Sequence, residues 1–102
     1  MVLWLVKWKL TQQYMSLPIE EQRKVNEKRI EISRTDRDVG KMKPLGRLVN
    51  GDEGYYTSEH SETEIFEYFL KVRPYMSFEA IPLIPTEQAN EIVRKVKASE
   101  TM

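Results

Sequence analysis

Few side chains in this sequence could carry out acid–base chemistry without help from a cofactor. Glu79 lies in a segment that has the pattern of a strand, and a carboxylate on a half-buried strand can act as a general base. Lys7 lies in the first apolar segment, and its ammonium could stabilise negative charge developing on a substrate. If the two segments pair, these residues could instead form a structural cross-strand ion pair worth about 0.2–1 kcal/mol. The sequence leaves both interpretations open.

A second group of polar side chains follows one face of the long first helix. Steps of 100° per residue place Gln22, Asn26, Arg29 and Ser33 between two apolar stripes. The stripes contain Ile19 and Ile30 on one side, and Val25, Ile32 and Val39 on the other. If both stripes pack on a sheet, the polar groups point under the helix, where each needs a partner or a ligand. Alternatively, the helix is only half buried, and its polar stripe is hydrated or bonded to strand ends.

Arg47 and Tyr75 are further candidates for binding a ligand. The guanidinium of Arg47 could hold a carboxylate, and the hydroxyl of Tyr75 could close a pocket, although this tyrosine could also serve only in packing. His60 is the one histidine and has no ligand partner at helical spacing, so no metal site is predicted. The absence of cysteine excludes disulfides, thiolate metal sites and thiol nucleophiles.

The elements that must position these residues alternate between strand and helix. Strand-like patterns cover residues 2–10, 44–50, 54–58 and 76–84. Helical patterns cover residues 16–39, 61–73 and about 87–97, with residues 11–15 as a connection. Asn50, Gly51 and Asp52 give a hairpin turn, and Ser61 with Glu64 gives a capping box. The pattern predicts an α+β fold in β-α-β-β-α-β order, with two helices on one face of an antiparallel sheet and an added C-terminal helix.

The length of 102 residues fits a single domain, with a core at about residues 2–84 and a helical extension at about 86–98. One face of the predicted sheet has no helix to cover its aromatic and branched side chains. A second copy of the chain is therefore expected to cover it, which predicts a homodimer or a larger homo-oligomer.

The charge balance disfavours several partners. Basic and acidic residues number 16 each and form no basic block, so nucleic acid and anionic membrane are not expected partners. The strands also lack the glycine, basic and aromatic signature of RNA-binding sheets.

The apolar run from Val2 to Leu10 is interrupted by Lys7 and Lys9 and has no small-residue cleavage site, so we do not expect a signal peptide. We therefore predict a cytoplasmic protein.

Several segments resemble muconolactone isomerase. The matching segments are Leu3-Trp4-Leu5-Val6-Lys7, Leu17-Pro18, Glu27-Lys28, Gly40-Lys41, Leu45-x-Arg47-x-Val49 and Pro74-Tyr75-Met76-Ser77-Phe78-Glu79-Ala80-Ile81-Pro82-Leu83. The likeness covers about residues 2–83, and its most specific part is the strand that carries Glu79. The chain departs from the family at Lys9, where the family has an acidic residue, and at Gly46, where it has an aromatic one.

The resemblance implies a ferredoxin-like fold, a dimeric α+β barrel that assembles into larger rings, and no cofactor. It also implies a proton shift along a small unsaturated lactone that carries a carboxylate. Such a shift needs a base, an acid and a group that stabilises the dienolate. Glu79 would then be the base, Lys7 or Arg47 would hold the negative charge, and Asn26, Arg29 and Tyr75 would line the site. The alternative is a non-catalytic ligand-binding or assembly module on the same oligomer.

Overall fold

The computed structural model describes residues 3–100 as four strands and four helices. In chain order they are β1 (Leu3–Leu10), α1 (Gln12–Met15), α2 (Ile19–Asp38), β2 (Met42–Arg47), β3 (Glu53–Glu59), α3 (Glu62–Val72), β4 (Met76–Leu83) and α4 (Thr86–Glu100). Val2, which the sequence pattern assigned to the first strand, lies outside the described residues. Residues 1, 101 and 102, which belong to the predicted domain, also lie outside them.

The four strands form one sheet in the order β2-β3-β1-β4, and every neighbouring pair is antiparallel. The central strand β1 has β3 on one side and β4 on the other. Trp8 pairs with Gly54 of β3, and Lys7 pairs with Glu79 of β4. The predicted α+β class with a four-stranded antiparallel sheet is confirmed.

The two faces of the sheet differ because side chains alternate along a strand. Val6 and Trp8 of β1, Tyr56 of β3 and Met76 of β4 form the buried core together with Met42 and Val72. These residues face α2 and α3. The alternate residues of the same strands, among them Leu5, Lys7, Glu79 and Ile81, occupy the opposite face, where no described element lies over them and Ile81 is 42% exposed.

The segment predicted as a connection between β1 and the first long helix contains a short helix. The Thr11 hydroxyl caps α1 by accepting a hydrogen bond from Tyr14 N at 3.4 Å, and the Tyr14 side chain is buried. Ser16 ends α1 and does not cap the long helix, so the predicted start at residue 16 is wrong. Pro18 occupies the N-cap of α2 with no side-chain cap bond, and α2 ends at Asp38, one residue before the predicted Val39.

The second strand begins and ends earlier than predicted. It covers Met42–Arg47, because Met42 is buried in the core while residues 48–50 leave the ladder to form a turn. Leu48 O accepts a hydrogen bond from Gly51 N at 2.8 Å, and Asn50 Oδ1 accepts one from Asp52 N at 3.0 Å. Gly51 has φ of +80°, a conformation that favours glycine. The turn prediction was correct and the strand boundary was wrong. The strand ends earlier because the turn formed by Asn50 and Gly51 begins at the apolar residue Leu48.

The helices after the hairpin follow the sequence signals closely. Ser61 and Glu64 form the predicted capping box at the start of α3, with Ser61 Oγ accepting from Glu64 N at 3.2 Å. The last helix runs to Glu100, beyond the predicted end near residue 97. Within residues 3–100, none of the helices combines the length and the apolarity that a membrane crossing requires.

Gly54 is required by the cross-strand packing of Trp8. A Cβ atom at position 54 would lie 2.6 Å from Cε2 and 2.7 Å from Nε1 of the Trp8 indole, closer than van der Waals contact permits. Gly54→Ala is therefore expected to lower the free energy of unfolding by about 1–3 kcal/mol, measured by urea denaturation. In a Trp8→Phe background the same substitution should cost less, because the smaller ring leaves room. An equal cost in both backgrounds would show that the indole is not the cause.

Candidate functional site

The polar stripe of α2 points towards the sheet, and its first half is anchored to the preceding loop. Gln22 Nε2 donates to the carbonyl oxygens of Leu17 at 3.1 Å and Tyr14 at 3.3 Å, and Asn26 Nδ2 donates to Tyr14 Oη at 2.7 Å. The predicted ligand-binding amide of Asn26 is thus engaged with a tyrosine of α1. The apolar stripes beside it are only partly covered, since Ile19 is 76% exposed whereas Val25 and Ile32 are half-buried.

The second half of the stripe borders an open cavity of about 350 Å³ between α2 and the sheet. We call it the arginine cavity. Arg29, Ser33 and Arg37 line it from α2, and Arg47 lines it from the end of β2. The rest of its wall is Trp8, Ile30, Met42, Pro44, Gly46, Tyr55, Tyr56, Tyr68, Met76 and Phe78. The cavity is therefore aromatic on its sheet side and cationic on its helix side and rim.

Aromatic rings pack against one another to form the sheet side of this cavity. Phe78 stacks on Tyr68 of α3 at a centroid distance of 5.5 Å and an interplanar angle of 5°, and it meets Tyr56 edge to face at 6.2 Å. Such contacts fix the orientation of flat rings beyond what burial alone does. The aromatic wall of the cavity thus consists of rings in mutual contact.

Two guanidinium groups converge on the Trp8 indole. Cζ of Arg47 lies 5.0 Å from the ring centroid and Cζ of Arg29 lies 5.9 Å from it, both within range of a cation–π interaction. Neither arginine forms an ion pair with a carboxylate within residues 3–100. Arg29 Nε is buried and has no hydrogen-bond acceptor in the described part of the chain. The Nε–H of this cavity-lining arginine therefore has no acceptor within residues 3–100.

Arg37 is held differently from the other two. Its Nε donates to Ser33 Oγ at 3.2 Å and its Nη2 donates to the carbonyl of Ile30 at 3.0 Å. These bonds fix the side chain along the α2 surface, one turn beyond Ser33. Arg37 therefore adds positive charge to the cavity from a fixed position.

Burial shifts the pKa of three side chains that line the cavity. Desolvation lowers the pKa of Arg29, and the positive charges of Arg47 and Arg37 lower it further, although an arginine still remains charged at neutral pH. Desolvation likewise raises the pKa of Tyr56 and of Tyr68 above the ordinary value of a phenol. Both phenols therefore stay protonated at neutral pH, so they can donate hydrogen bonds and cannot serve as bases. No carboxylate lines this cavity in residues 3–100.

The predicted catalytic pair lies on the opposite face of the sheet. Lys7 and Glu79 are direct cross-strand partners, as expected, yet Lys7 Nζ forms its ion pair with Glu53 Oε1 of β3, at 3.5 Å. A shallow hollow of about 230 Å³ includes these three residues together with Lys9 and Ser77. The structure thus separates the predicted base and lysine from the predicted arginines by the thickness of the sheet.

Of the predicted ligand-binding residues, Arg29 and Arg47 come together in the arginine cavity. Asn26 is absent from its lining. Tyr75 borders a smaller cavity of about 80 Å³, which Arg29 also lines. The sequence reasoning missed Arg37, Tyr56, Tyr68 and a cavity-lining role for Trp8. Arg37 could have been found, because it follows Arg29 and Ser33 at intervals of four on the polar stripe. The tyrosines could not, since their facing positions depend on the packing of α3.

His60 takes part in a buried network away from the arginine cavity. Ser58 Oγ and His60 Nδ1 share a short hydrogen bond, and His60 Nε2 lies 3.0 Å from Asp36 Oδ2 of α2. The carbonyl of His60 accepts from Trp4 Nε1 at 2.9 Å. The residue types match a hydrolytic triad, but Ser58 is only 2% exposed, so a substrate could not reach its hydroxyl. The network fastens α2 to the end of β3.

Neither the comparison with protein-family models nor the comparison with curated proteins finds a match to this chain. Within residues 3–100, no group of three or more His, Cys, Asp or Glu side chains is placed to hold a metal ion. The candidate site is therefore inferred from the structure of this chain and not from a relative.

The raised pKa of the two cavity tyrosines predicts a loss of stability in alkali. Below about pH 10 both the folded and the unfolded states keep the phenols protonated, and above it the unfolded state loses protons that the folded state retains. The free energy of unfolding should therefore fall as pH rises from about 10 to 12. Urea denaturation at a series of pH values measures this fall.

Tyr56→Phe and Tyr68→Phe should each make the alkaline fall less steep, because each removes a phenol whose ionisation favours unfolding. The neighbouring Tyr55→Phe is the matched control. A fall that is equally steep in all four proteins would contradict the assignment.

Proposed function

We propose that this chain binds a small, flat, carboxylated metabolite in the arginine cavity. The observation that carries the proposal is the buried Arg29 Nε, which has no acceptor in residues 3–100, beside Arg47 on the Trp8 ring. A carboxylate accepts two parallel hydrogen bonds from a guanidinium, and such charge-assisted bonds are among the strongest in proteins. An anion of this shape would satisfy the unused donor and offset the positive charge.

The remaining properties of the cavity support a ligand with an unsaturated or aromatic body. Its volume of about 350 Å³ lies at the lower end of the range for small-molecule sites. The rings of Tyr68 and Phe78 provide an aromatic wall, and the protonated hydroxyl of Tyr56 provides a neutral donor. A lactone with a carboxylate, as the resemblance to muconolactone isomerase implies, has this combination of a planar ring and one negative charge.

We further propose the assembly that goes with that resemblance, namely a ferredoxin-like domain paired into a dimeric α+β barrel. The strand order β2-β3-β1-β4 and the placement of α2 and α3 on one face support it. The uncovered face carries Leu5 and Ile81 beside charged residues, and a second copy would cover these apolar groups. The homo-oligomer would need no cofactor.

A second candidate function is the cofactor-free isomerase itself, and the cross-strand position of Lys7 and Glu79 favours it. In such a reaction the Glu79 carboxylate would take a proton from one carbon of the lactone, and the conjugate acid would return it to another. The Lys7 ammonium would stabilise the dienolate between the two steps. Because this pair lies across the sheet from the arginine cavity, the reaction would occupy the hollow of Lys7, Glu53 and Glu79, enclosed by a second copy.

The carboxylate-binding proposal predicts specific losses of affinity. Muconolactone should bind the wild-type protein measurably by isothermal titration calorimetry, and its neutral methyl ester should bind much more weakly. Arg29→Met and Arg47→Met should each reduce affinity about 10- to 100-fold, because each removes charged hydrogen bonds worth about 1.5–3 kcal/mol. Arg34→Met, on the exposed side of α2, is the matched control. Equal affinity for acid and ester, or undiminished binding by both variants, would refute the proposal.

The isomerase candidate predicts catalytic turnover that depends on Glu79. Purified protein incubated with a panel of muconolactones should change their ultraviolet absorbance, and Glu79→Gln should slow this change about 10²- to 10⁴-fold. Glu20→Gln, an exposed carboxylate at the start of α2, should keep the wild-type rate. Absence of turnover in the wild type, or full activity in Glu79→Gln, would exclude this role while leaving carboxylate binding untouched.

A further inference from the structure

The last helix, α4, extends from the body of the domain with an uncovered apolar stripe. No residue of α4 is buried, and Ala89, Ile92, Val93 and Val96 recur at the spacing of one helix face. The radius of gyration is 17.4 Å, against about 13 Å for a compact domain of this length. A short amphipathic helix gains most of its stability from packing its apolar face. The stripe of α4 therefore needs a surface.

A matching surface lies along α3. An open apolar groove of about 330 Å³ runs between α3 and the sheet, bounded by Trp4, Phe66, Phe69 and Ala80. We call it the α3 groove. The Phe66 side chain is 61% exposed beside it, and no residue of α4 lines it. An exposed aromatic groove of this kind can accept the apolar face of a helix.

The charges on the two helices are complementary in one relative direction only. Along α3 the first half is acidic, with Glu62, Glu64 and Glu67, and the end is basic, with Lys71. Along α4 the first half is acidic, with Glu87 and Glu91, and the second half is basic, with Arg94, Lys95 and Lys97, before Glu100 at its last position. Antiparallel packing places the basic residues of α4 beside the acidic half of α3, with Glu100 near Glu62 as the one like-charged exception at the helix ends. Parallel packing places the acidic halves together and the basic parts together. Complementary charges select both partner and register.

The chain's own connections give α4 the unfavourable direction on its own α3. Only Arg73, Pro74 and Tyr75 separate α3 from β4, so the helix and the strand run in opposite directions. Two residues, Ile84 and Pro85, then separate β4 from α4. To fold back onto its own α3, α4 would have to reverse after β4 and so run parallel to α3. The α4 of another copy has no such restriction.

We propose that α4 is an exchanged arm, which packs antiparallel into the α3 groove of a second copy of this chain. The register that sets Val96 against Phe66 and Ile92 against Leu70 also brings Lys95 next to Glu67 and Glu91 next to Lys71. At about 22 Å, the 15-residue α4 is long enough to span the 11-residue α3. The arm goes beyond the proposed ligand binding and does not require the two sheets to face each other.

Mixing charge-reversed chains tests the exchange. Glu67→Lys alone and Lys95→Glu alone each place two like-charged contacts in every dimer, so each should self-associate about tenfold more weakly than the wild type or worse. An equimolar mixture of the two variants restores opposite charges at both contacts and should recover dimer formation, measured by analytical ultracentrifugation. The defects within each variant's own helices persist in the mixture, so recovery reports the contact between chains. Single variants that associate like the wild type, or a mixture that recovers nothing, would overturn the proposal.

Two controls separate this result from general effects of charge and folding. Mixing Glu27→Lys with Lys28→Glu, a reversed pair on the exposed side of α2, should change association little. Because the chain contains no cysteine, single-cysteine chains provide a second measurement. Phe66→Cys mixed with Val96→Cys should give a disulfide-linked dimer in much higher yield than Phe66→Cys mixed with Val49→Cys. Equal yields, or an internal disulfide in Phe66→Cys/Val96→Cys, would contradict the exchanged arm.

Discussion

The uncompensated charge of Arg29 beneath α2 is the constraint on which the rest of the site depends. An arginine keeps its charge at neutral pH, and removing it from water is costly unless its donors are bonded. The polar stripe that contains Arg29 faces the sheet and leaves a cavity where an apolar helix face would have closed on the core. The cation–π contact with Trp8 offsets only part of the cost, because it leaves the buried Nε unbonded. An anion bound in the cavity, as proposed, would offset the remaining positive charge.

The same polar stripe both attaches α2 to its neighbours and borders the cavity. In its first half, Gln22 and Asn26 form hydrogen bonds to the segment that precedes α2. At its end, Asp36 bonds to His60, which directly follows β3. Between these two attachments, Arg29 and Ser33 border open space. The helix is thus held at both ends of the cavity rather than packed over it. The cavity therefore lies between two attachments that are part of the fold itself.

The sheet separates two kinds of chemistry. The face under the helices carries guanidinium groups and protonated phenols, which are hydrogen-bond donors suited to an anion. The opposite face carries the carboxylates of Glu53 and Glu79 with Lys7 between them. A base and an anion-binding cavity on opposite faces cannot act on one small molecule within a single chain. Binding and proton transfer are for this reason separate hypotheses, and a second copy of the chain matters for the latter.

The fold was predictable where local patterns act alone, and the site was predictable only in part. Strand alternation fixed β1 and β4, and the capping box fixed the start of α3, because these signals lie within one element. The first half of the hairpin was misplaced because the turn at Asn50 and Gly51 takes residues 48–50 out of the strand. The helix wheel found Arg29 as a residue under α2. It could not reveal that Trp8 and Tyr68 meet it there, since those positions follow from packing between elements distant in sequence.

The most direct test of this account is the nuclear magnetic resonance signal of the Arg29 Nε–H group in protein labelled with ¹⁵N-arginine and assigned with Arg29→Lys. Benzoate and benzamide share a planar ring and differ in the negative charge, so they separate anion binding from stacking. If the arginine cavity binds a carboxylate, benzoate should shift the Arg29 signal progressively and saturably, while benzamide at the same concentrations should leave it in place. If the Arg29 signal does not shift with benzoate, or shifts equally with both compounds, carboxylate binding at Arg29 is contradicted.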